Sequence, residues 1–372
     1  MKKRSSFLKR LAVLRDKLGH IPPDTAWIIQ PENRRYLSGF KAFDSQLTES
    51  SGSLLINDKK AILITDSRYT IEAQKEAPDF QVVTLKKGLM ESLPELLGRL
   101  KTKNLGFEED FLIWGVHRQL AKKMKKLAHP IRLAPLNGVV EGMREIKDEA
   151  EITKMKASSH LMSDILGEVI EGLKPGRTEM EVAWEIEGLA REAGAEDLAF
   201  PPIVASGPRS ALPHAVPTNR KLRPGEPIIM DVGIKIDGYC CDMTRTIFLG
   251  SPTPRFRKIY GIVREAQISA LKEILPGTES THPDAIARKI IKDAGFGDYF
   301  GHSLGHGVGL ATHERPRLGP EKPVKLAEGM VVTVEPGIYL PGKGGVRLEE
   351  MVVIEKDGPN ILTKDRHFYD FS

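Results

Sequence analysis

The stretch PIIMDVGIKIDGYCCDMTRTIFL, residues 227–249, contains two apolar runs on either side of the dipeptide Asp237 and Gly238. Asp-Gly between alternating apolar segments is the strongest short sequence signal for a β-hairpin. If these two residues form the turn, Asp231 lies opposite Thr244 on the neighbouring strand. The stretch therefore predicts two paired strands of defined register in the second half of the chain.

The same register brings two carboxylates together. Side chains alternate between the faces of a strand, so Asp231, Gly233 and Asp242 share one face, with the two aspartates about 7 Å apart at the backbone. Like charges this close on a buried strand pair are costly unless a cation or a proton joins them. The alternative is a pair of solvent-facing aspartates, which the apolar neighbours of Asp231 disfavour. The pattern indicates a cation site.

A second pair of apolar strands supplies Glu335, in VVTVEPG, and Glu349, in GGVRLEEMVVI. Between the two strand pairs lies GHSLGHGVGLATHERP, residues 301–316, with the histidines His302, His306 and His313. Its glycines are not placed between a strand and a helix, so dinucleotide binding is disfavoured, and HExxH and Walker motifs are absent from the sequence. Four carboxylates and a histidine favour two divalent ions, whose charge the carboxylates balance while a bridging hydroxide is stabilised.

The only two cysteines, Cys240 and Cys241, are adjacent in the hairpin. They cannot form a disulfide framework. Cys241 points away from the aspartates, whereas Cys240 shares their face one strand step before Asp242. A catalytic thiol needs an activating base and access, and the sequence identifies no such arrangement. We expect neither cysteine to be a nucleophile or a metal ligand.

Composition limits the class of protein. The chain has 372 residues, 40% of them hydrophobic, and a net charge of +5 from 55 basic and 50 acidic residues. This length predicts one large or two ordinary domains. Charges interrupt the N-terminal apolar runs, and none approaches the ~18 residues of a transmembrane span. We expect no signal peptide, no membrane contact and a cytoplasmic location.

Two runs hold most of the basic excess, MKKRSSFLKR at residues 1–10 and LAKKMKKLAH at residues 120–129. Both fit the polar faces of amphipathic helices, which is the usual origin of such runs. A nucleic-acid surface would need interleaved aromatic residues or a docking motif. The sequence therefore predicts no nucleic-acid partner.

The order of predicted elements divides the chain. A strand at residues 25–30, a hairpin at residues 53–65 and then alternating helices and strands predict an α/β domain that ends at residue 138. Beyond it the order becomes helix, helix, hairpin, and it occurs twice. The first helix of each pair closes at Gly176 or Gly277, an offset of 101 residues. Such spacing indicates a duplicated helix-pair unit.

The ordered set DVG…CDMTRT…GHSLGHGVG…VEPG…GGVRLEE resembles the "pita-bread" metallopeptidases, family M24, which include methionine aminopeptidase, aminopeptidase P and prolidase. PENRRYLSGF, residues 31–40, resembles the N-terminal domain of the proline-directed branch. The resemblance covers the whole chain. It implies a creatinase-like α/β N-terminal domain over residues 1–138 and an α+β pita-bread catalytic domain over residues 139–372.

Matched motif by motif, the resemblance implies five metal ligands: Asp231, Asp242, His306, Glu335 and Glu349. It implies a substrate site formed by His214, His302, His313 and Arg347. The implied catalytic residues are Glu335, as proton acceptor and donor for the nucleophile, and His302 or His313, which would steady the tetrahedral intermediate. Glu349 rather than Glu350 occupies the ligand position of its motif.

The activity implied is hydrolysis of the N-terminal Xaa-Pro bond of peptides by a dinuclear metal centre, an Xaa-Pro aminopeptidase. The alternative within the family is an Xaa-Pro dipeptidase (prolidase) restricted to dipeptides. A metal-free enzyme such as creatinase and a non-catalytic binding protein are disfavoured because all five ligand positions are intact. We expect two Mn²⁺ ions, with Co²⁺ and Zn²⁺ as alternatives, and, from the resemblance, a homodimer.

Overall fold

A computed structural model of the protein describes residues 6–42, 44, 49–364 and 367–371. The chain forms two compact units, Met1–Arg144 and Glu145–Ser372. Of the basic run at the N-terminus, residues 1–5 lie outside the described part of the chain. Within that part, no helix has both the length and the apolar composition needed to cross a membrane.

The first unit extends past residue 138, where the sequence placed the boundary. The helix Val139–Arg144 belongs to this unit because the Tyr36 hydroxyl donates a hydrogen bond to the Met143 carbonyl oxygen at 3.1 Å. Arg144 is buried and its Nη1 donates to the side-chain oxygen of Asn33 at 2.8 Å.

The first unit is an α/β sandwich built on a six-stranded sheet. Its elements are α1 (Ser6–Leu18), β1 (Thr25–Ile28), α2 (Pro31–Ser38), β2 (Gly52–Asn57), β3 (Ala61–Thr65), α3 (Thr70–Glu76), β4 (Gln81–Thr84), α4 (Leu89–Leu100), β5 (Asn104–Phe107), α5 (Trp114–Lys125), β6 (Arg132–Pro135) and α6 (Val139–Arg144). The strand order is β4-β3-β2-β1-β5-β6, antiparallel at β1–β2 and β2–β3 and parallel elsewhere. The alternation predicted from the sequence is present throughout.

Amphipathic helices cover this sheet. In α5, Leu120 and Met124 are buried against the strands while Lys122 and Lys125 are exposed. The basic run at residues 120–129 is therefore largely the solvent-facing side of a packed helix, as expected from its apolar spacing.

A buried glutamate closes the start of α2. Glu108 accepts hydrogen bonds at Oε2 from the backbone N–H groups of Ile29 (2.6 Å) and Gln30 (2.7 Å). Its Oε1 accepts from the side-chain amide of Asn33 at 2.7 Å. Burial raises the pKa of Glu108 to about 7, against an ordinary value of 4.5.

The second unit contains helix pairs and several small sheets. Its elements are α7 (Glu149–Gly172), α8 (Glu179–Glu192), β7 (Asp197–Leu198), β8 (Ile203–Ser206), β9 (Pro227–Val232), β10 (Ile234–Ile236), β11 (Tyr239–Cys240), β12 (Met243–Phe248), α9 (Pro254–Lys272), α10 (Thr281–Asp293), β13 (Gly305–Gly307), β14 (Glu314–Leu318), β15 (Val331–Val334), β16 (Gly337–Leu340), β17 (Gly344–Arg347), β18 (Glu350–Glu355) and β19 (Gly358–Ile361). The sheets have the orders β11-β10-β7, β12-β9-β8, β14-β13-β15-β18-β19 and β16-β17.

The predicted duplication is visible in the backbone hydrogen bonds. After α7, the N–H of Gly176 donates to the Leu222 carbonyl at 3.0 Å; after α9, the N–H of Gly277 donates to the Leu326 carbonyl at 2.7 Å. The donors are 101 residues apart, the offset seen in the sequence, and the acceptors are 104 residues apart. Each helix pair therefore joins its following strand in the same way.

The predicted hairpin register is confirmed. Asp231 pairs with Thr244 between β9 and β12, and Ile236 pairs with Tyr239 beside the turn. Asp237 and Gly238 have φ angles of +49° and +83°, the left-handed values that a type I′ turn requires at both central positions.

A pH prediction follows from Glu108. Between pH 4.5 and about 7 the folded state keeps this proton while the unfolded chain loses it, so stability falls as pH rises through that window. The shift corresponds to about 3 kcal/mol of unfolding free energy. Urea denaturation at pH 5 and pH 8 measures the change, which Glu108→Gln removes. The control is Asp110→Asn, at an exposed neighbouring position, which should keep the wild-type difference in unfolding free energy between pH 5 and pH 8. An equal difference in the wild type and both variants would contradict the role of Glu108.

Candidate metal centre

Two strand pairs bring the predicted ligands into one cluster. Ligand atoms of Asp242, His306 and Glu349 lie within 4.8 Å of one another, a grouping that suits a metal ion. Asp231 and Glu335 line the same cavity as these three residues. All five positions named from the sequence are therefore side by side in the second unit.

His306 stands at the centre of β13, between Gly305 and Gly307. A Cβ on Gly305 would lie 2.0 Å from the Thr333 carbonyl oxygen, and one on Gly307 would lie 2.3 Å from the Arg315 carbonyl oxygen. Only glycine allows both neighbouring segments to approach the histidine backbone this closely. The two glycines thus place His306 deep in the sheet.

The imidazole of His306 is oriented for a cation. Its Nδ1 lies 3.1 Å from the Gly307 carbonyl, so Nδ1 carries the proton and Nε2 presents a lone pair. Nε2 is 3.4 Å from Glu335 Oε1 and 3.7 Å from Asp242 Oδ2. Burial lowers the pKa of His306 to about 4, which keeps the ring neutral. A neutral ring is the form that binds metals.

The carboxylates repel one another. Burial, together with Glu349, Asp231 and Glu335, raises the pKa of Asp242 well above its ordinary value. Burial and the charges of Glu335 and Asp231 do the same to Glu349. Burial also raises the pKa of Glu335 to about 8. Such a cluster is stable near neutral pH only with protons or cations among the carboxylates.

Neighbouring groups hold two of the acids in place. The Thr244 hydroxyl donates to Glu349 Oε2 at 2.7 Å. Arg347 is buried and donates from Nη2 to Asp231 Oδ2 at 2.6 Å and from Nε to the Thr244 hydroxyl at 3.1 Å. Thr244 was not singled out from the sequence, although it stands opposite Asp231 in the predicted register. Arg347 was expected at the substrate site, and it also orients a predicted ligand.

The other oxygen of Asp231 gives separate evidence for a cation site. Asp231 Oδ1 is buried and, among the described residues, has no hydrogen-bond partner. Native proteins rarely leave a buried carboxylate oxygen unpartnered. Together with three raised carboxyl pKa values and a neutral imidazole, it makes a donor set of the type that binds divalent ions.

A cavity of about 680 Å³ opens over this cluster. One wall is apolar and includes Phe200, Pro201, Pro202, Ile203, Pro213, Ala215, Val216 and Pro217. The remaining predicted substrate residues, His214, His302, His313 and Arg347, also line it. A pocket with an apolar wall and a few polar groups at one end is typical of a small-substrate site.

The three histidines differ in their contacts. His302 is engaged by the protein, with Nδ1 2.8 Å from the Ser303 carbonyl and Nε2 2.9 Å from the Tyr339 hydroxyl. The ring of His313 lies against that of His306, with centroids 4.2 Å apart. His214 and His313 are solvent-exposed. They are therefore accessible to a ligand.

Arg317 also lines the cavity and was missed from the sequence. It pairs with His306 between β13 and β14, so the two side chains project from the same face of the sheet. Its Nε donates to the Ser303 hydroxyl at 2.7 Å. The signal was weak because a register shift follows His306, which hides the pairing in the residue spacing.

The cysteines lie outside the cavity lining. Cys240 and Cys241 are both buried thiols. Burial raises the pKa of Cys241 to about 12, so its thiol stays protonated. A protonated thiol is a poor nucleophile.

Two family models match the chain: the Creatinase/Prolidase N-terminal domain over residues 10–146 and Metallopeptidase family M24 over residues 153–356. A protein named Xaa-Pro dipeptidase from Pyrococcus furiosus is 37% identical over 342 residues, which cover 92% of this chain and 93% of that protein.

Solved structures show the same likeness. A structure titled Xaa-Pro dipeptidase from Bacillus anthracis has a TM-score of 0.90 at 35% identity and covers 97% of this chain and 98% of its own. An X-Pro aminopeptidase from Thermotoga maritima MSB8 has a TM-score of 0.86 at 36% identity, with coverages of 96% and 98%.

These similarities confirm the predicted architecture, a creatinase-like α/β domain followed by a pita-bread catalytic domain. They also imply divalent metal ions, which the donor set described above fits. The chain belongs to metallopeptidase family M24 and is a peptidase.

Proposed function

We propose that the protein is an Xaa-Pro dipeptidase whose metal ligands are Asp231, Asp242, His306, Glu335 and Glu349. The observation on which the dipeptidase assignment depends is Arg317, a guanidinium on the cavity face beside His306. A dipeptide carries its carboxylate on the residue next to the scissile bond. A fixed cation near the metal ligands would bind that carboxylate and favour dipeptides over longer chains.

The sequence alone favoured the aminopeptidase. The relatives named Xaa-Pro dipeptidase or prolidase support the alternative instead, at 36–38% identity over most of the chain. A structure titled X-Pro aminopeptidase is also similar, so likeness by itself divides between the two activities. Arg317 supplies a physical reason to prefer the dipeptidase.

The apolar wall of the cavity suits the substrate. Phe200, Pro202 and Val216 offer aliphatic and aromatic surface at the scale of a pyrrolidine ring. An Xaa-Pro bond has no N–H, so a site for it needs no acceptor for that group. Apolar contact with the ring would then supply binding energy where an ordinary peptide would make a hydrogen bond.

The metal ions, when bound, lower the pKa of a water molecule and polarise the substrate carbonyl. Within the protein, Glu335 is the proposed proton acceptor from the attacking water and the donor to the departing proline nitrogen. The His306 ring stays neutral and keeps its Nε2 lone pair toward the ligand cluster. Thr244 and Arg347 fix the directions of Glu349 and Asp231.

His313 is the better candidate to steady the tetrahedral intermediate. Both nitrogens of His302 already contact the protein, at Ser303 and Tyr339. His313 is exposed within the cavity and packs its ring on His306. We assign substrate contact to His214 and His313, and to His302 the orientation of Tyr339. Mn²⁺ as the resident metal, a cytoplasmic location and a homodimer stay predictions from the sequence.

Metal binding is tested by two adjacent glutamates. Mn²⁺ at 100 times the Kd of each site should stabilise metal-stripped wild-type protein by about 2.7 kcal/mol for each bound ion in urea denaturation. Glu349→Gln should lose this gain, and its stripped form should be at least as stable as stripped wild type because one repelling charge is gone. Glu350→Gln is the control: Glu350 pairs with Arg245 at 3.5 Å, so this variant is destabilised but keeps the Mn²⁺ response. The reverse pattern would place the ligand at position 350.

Substrate length is tested with three compounds. Mn²⁺-loaded protein should hydrolyse Ala-Pro faster than Ala-Pro amide or Ala-Pro-Ala, because only the dipeptide places a carboxylate beside the scissile bond. Arg317→Ala should lower kcat/KM for Ala-Pro roughly 10- to 100-fold, the loss of one charge-assisted contact. It should change the amide much less, as steady-state kinetics would show.

The matched control is Arg315→Ala, an exposed arginine of the same strand outside the cavity lining. It should keep the wild-type preference. Preferred cleavage of Ala-Pro-Ala by wild type would restore the aminopeptidase assignment. An equal loss on Ala-Pro and its amide in Arg317→Ala would contradict the carboxylate contact.

A further inference from the structure

Glu179 is a fully buried carboxylate far along the chain from the metal ligands. It is the first residue of α8 and is 0% exposed. Five hydrogen-bond donors point at it. Oε1 accepts from the backbone N–H and hydroxyl of Ser206, both at 2.8 Å, and Oε2 accepts from Arg209 Nε (3.0 Å) and from the Thr218 N–H (3.1 Å) and hydroxyl (2.7 Å).

These donors stand at the two ends of one loop. Ser206 is the last residue of β8, and the chain leaves there, crosses the cavity wall and returns at Thr218. The loop has a short 3₁₀ turn, Gly207–Ala211, and then Pro213 to Pro217, every residue of which lines the cavity. One carboxylate therefore anchors both ends, Ser206 and Thr218, of the loop that contains His214. This loop forms one wall of the cavity, called the His214 wall below.

The top of the loop is fastened to the metal centre. Arg347 Nη1 donates to the Pro213 carbonyl oxygen at 3.0 Å while its Nη2 holds Asp231. The backbone N–H of Gly345 donates to the Ser210 hydroxyl at 2.8 Å. Between these fastenings the wall faces solvent, and Val216 is 75% exposed. Arg209, which contacts Glu179 through Nε, also donates from Nη2 to the Val216 carbonyl oxygen at 2.5 Å. The position of this loop therefore depends on its two ends, on Arg209, on the Gly345 contact and on Arg347.

We infer that Glu179 is a positioning residue for substrate binding, which sets the distance of the His214 wall from the metal centre. It touches neither the cavity nor the predicted ligands, and acts through the loop. The inference rests on the proposed function, because it concerns the wall that would contact the proline ring.

The chemistry requires a carboxylate. All five groups that face Glu179 are donors, so both of its oxygens must accept. A glutamine has one accepting oxygen and an NH₂ group that only donates. In either orientation, that NH₂ faces the backbone N–H of Ser206 or of Thr218 and leaves this N–H unsatisfied, although the hydroxyl beside it can turn to accept. Glu179→Gln should therefore loosen one end of the loop, at Ser206 or at Thr218, while leaving the metal ligands unaltered.

The experiment compares Glu179→Gln with Glu181→Gln in the metal-loaded full-length protein. Glu181 lies on the same helix and caps it by accepting from the Thr178 N–H at 2.7 Å, but it is away from the loop. Glu179→Gln should raise KM for Ala-Pro about tenfold, the fold-change of one lost buried hydrogen bond, and change kcat less than threefold. Glu181→Gln should leave KM unchanged.

The rise in KM without a matching fall in kcat is the readout that a purely structural role would not move, and hydrogen exchange shows whether the change is confined to this loop. In Glu179→Gln, amides of residues 207–218 should exchange at least tenfold faster, while those of β9 and β12 keep their protection. Thr218→Val retains the shape of Thr218, removes one donor, and serves if Glu179→Gln does not fold. In the double variant the rise in KM should be smaller than the product of the single effects, because both act on one contact.

Unchanged KM and unchanged exchange in residues 207–218 would overturn the inference, even if the variant melts at a lower temperature. So would a fall in kcat without a change in KM. If wild type cleaves no Xaa-Pro peptide, the proposed function fails. The comparison of exchange in Glu179→Gln and Glu181→Gln still decides whether Glu179 holds the wall.

Discussion

Mutual repulsion between buried carboxylates is the constraint on which the second unit depends. Asp231, Asp242, Glu335 and Glu349 come from apolar strands, where water screens them poorly, and burial with these neighbours raises the pKa of three of the four. The free energy of unfolding of a typical protein is only about 5–15 kcal/mol. Such a cluster is therefore tolerated only when protons or cations neutralise it. Divalent cations do so, and the hydrolytic chemistry of the family then uses the same charges.

The ligand cluster and the substrate wall share a guanidinium. Arg347 contacts Asp231, the Thr244 hydroxyl and the Pro213 carbonyl, so one rigid planar group spans from the cation site to the loop. Glu179 closes that loop at its other end. The site is thus built on strands for its ligands and on a doubly anchored loop for its apolar contacts. Precise ligand geometry needs the former, and adaptation to the residue before proline is better served by the latter.

Local patterns explain why part of this was predictable. The Asp-Gly turn and the period of two along a strand were enough to set Asp231 opposite Thr244, and the 101-residue repeat revealed the two helix pairs. Arg317 was not identified from the sequence because its proximity to His306 comes from a strand pairing with a register shift. Glu179 escaped for another reason: a glutamate in the first turn of a helix is ordinary by composition, and its partners lie 27 to 39 residues away in sequence.

Electron paramagnetic resonance during Mn²⁺ titration of the metal-stripped protein tests the central claim most directly. A dinuclear centre should bind two Mn²⁺ per chain and give a spectrum broadened by coupling between the two ions. Glu349→Gln should not give the coupled spectrum. Binding of no more than one Mn²⁺ per chain, or two uncoupled ions in the wild type, would contradict a dinuclear centre built from Asp231, Asp242, His306, Glu335 and Glu349.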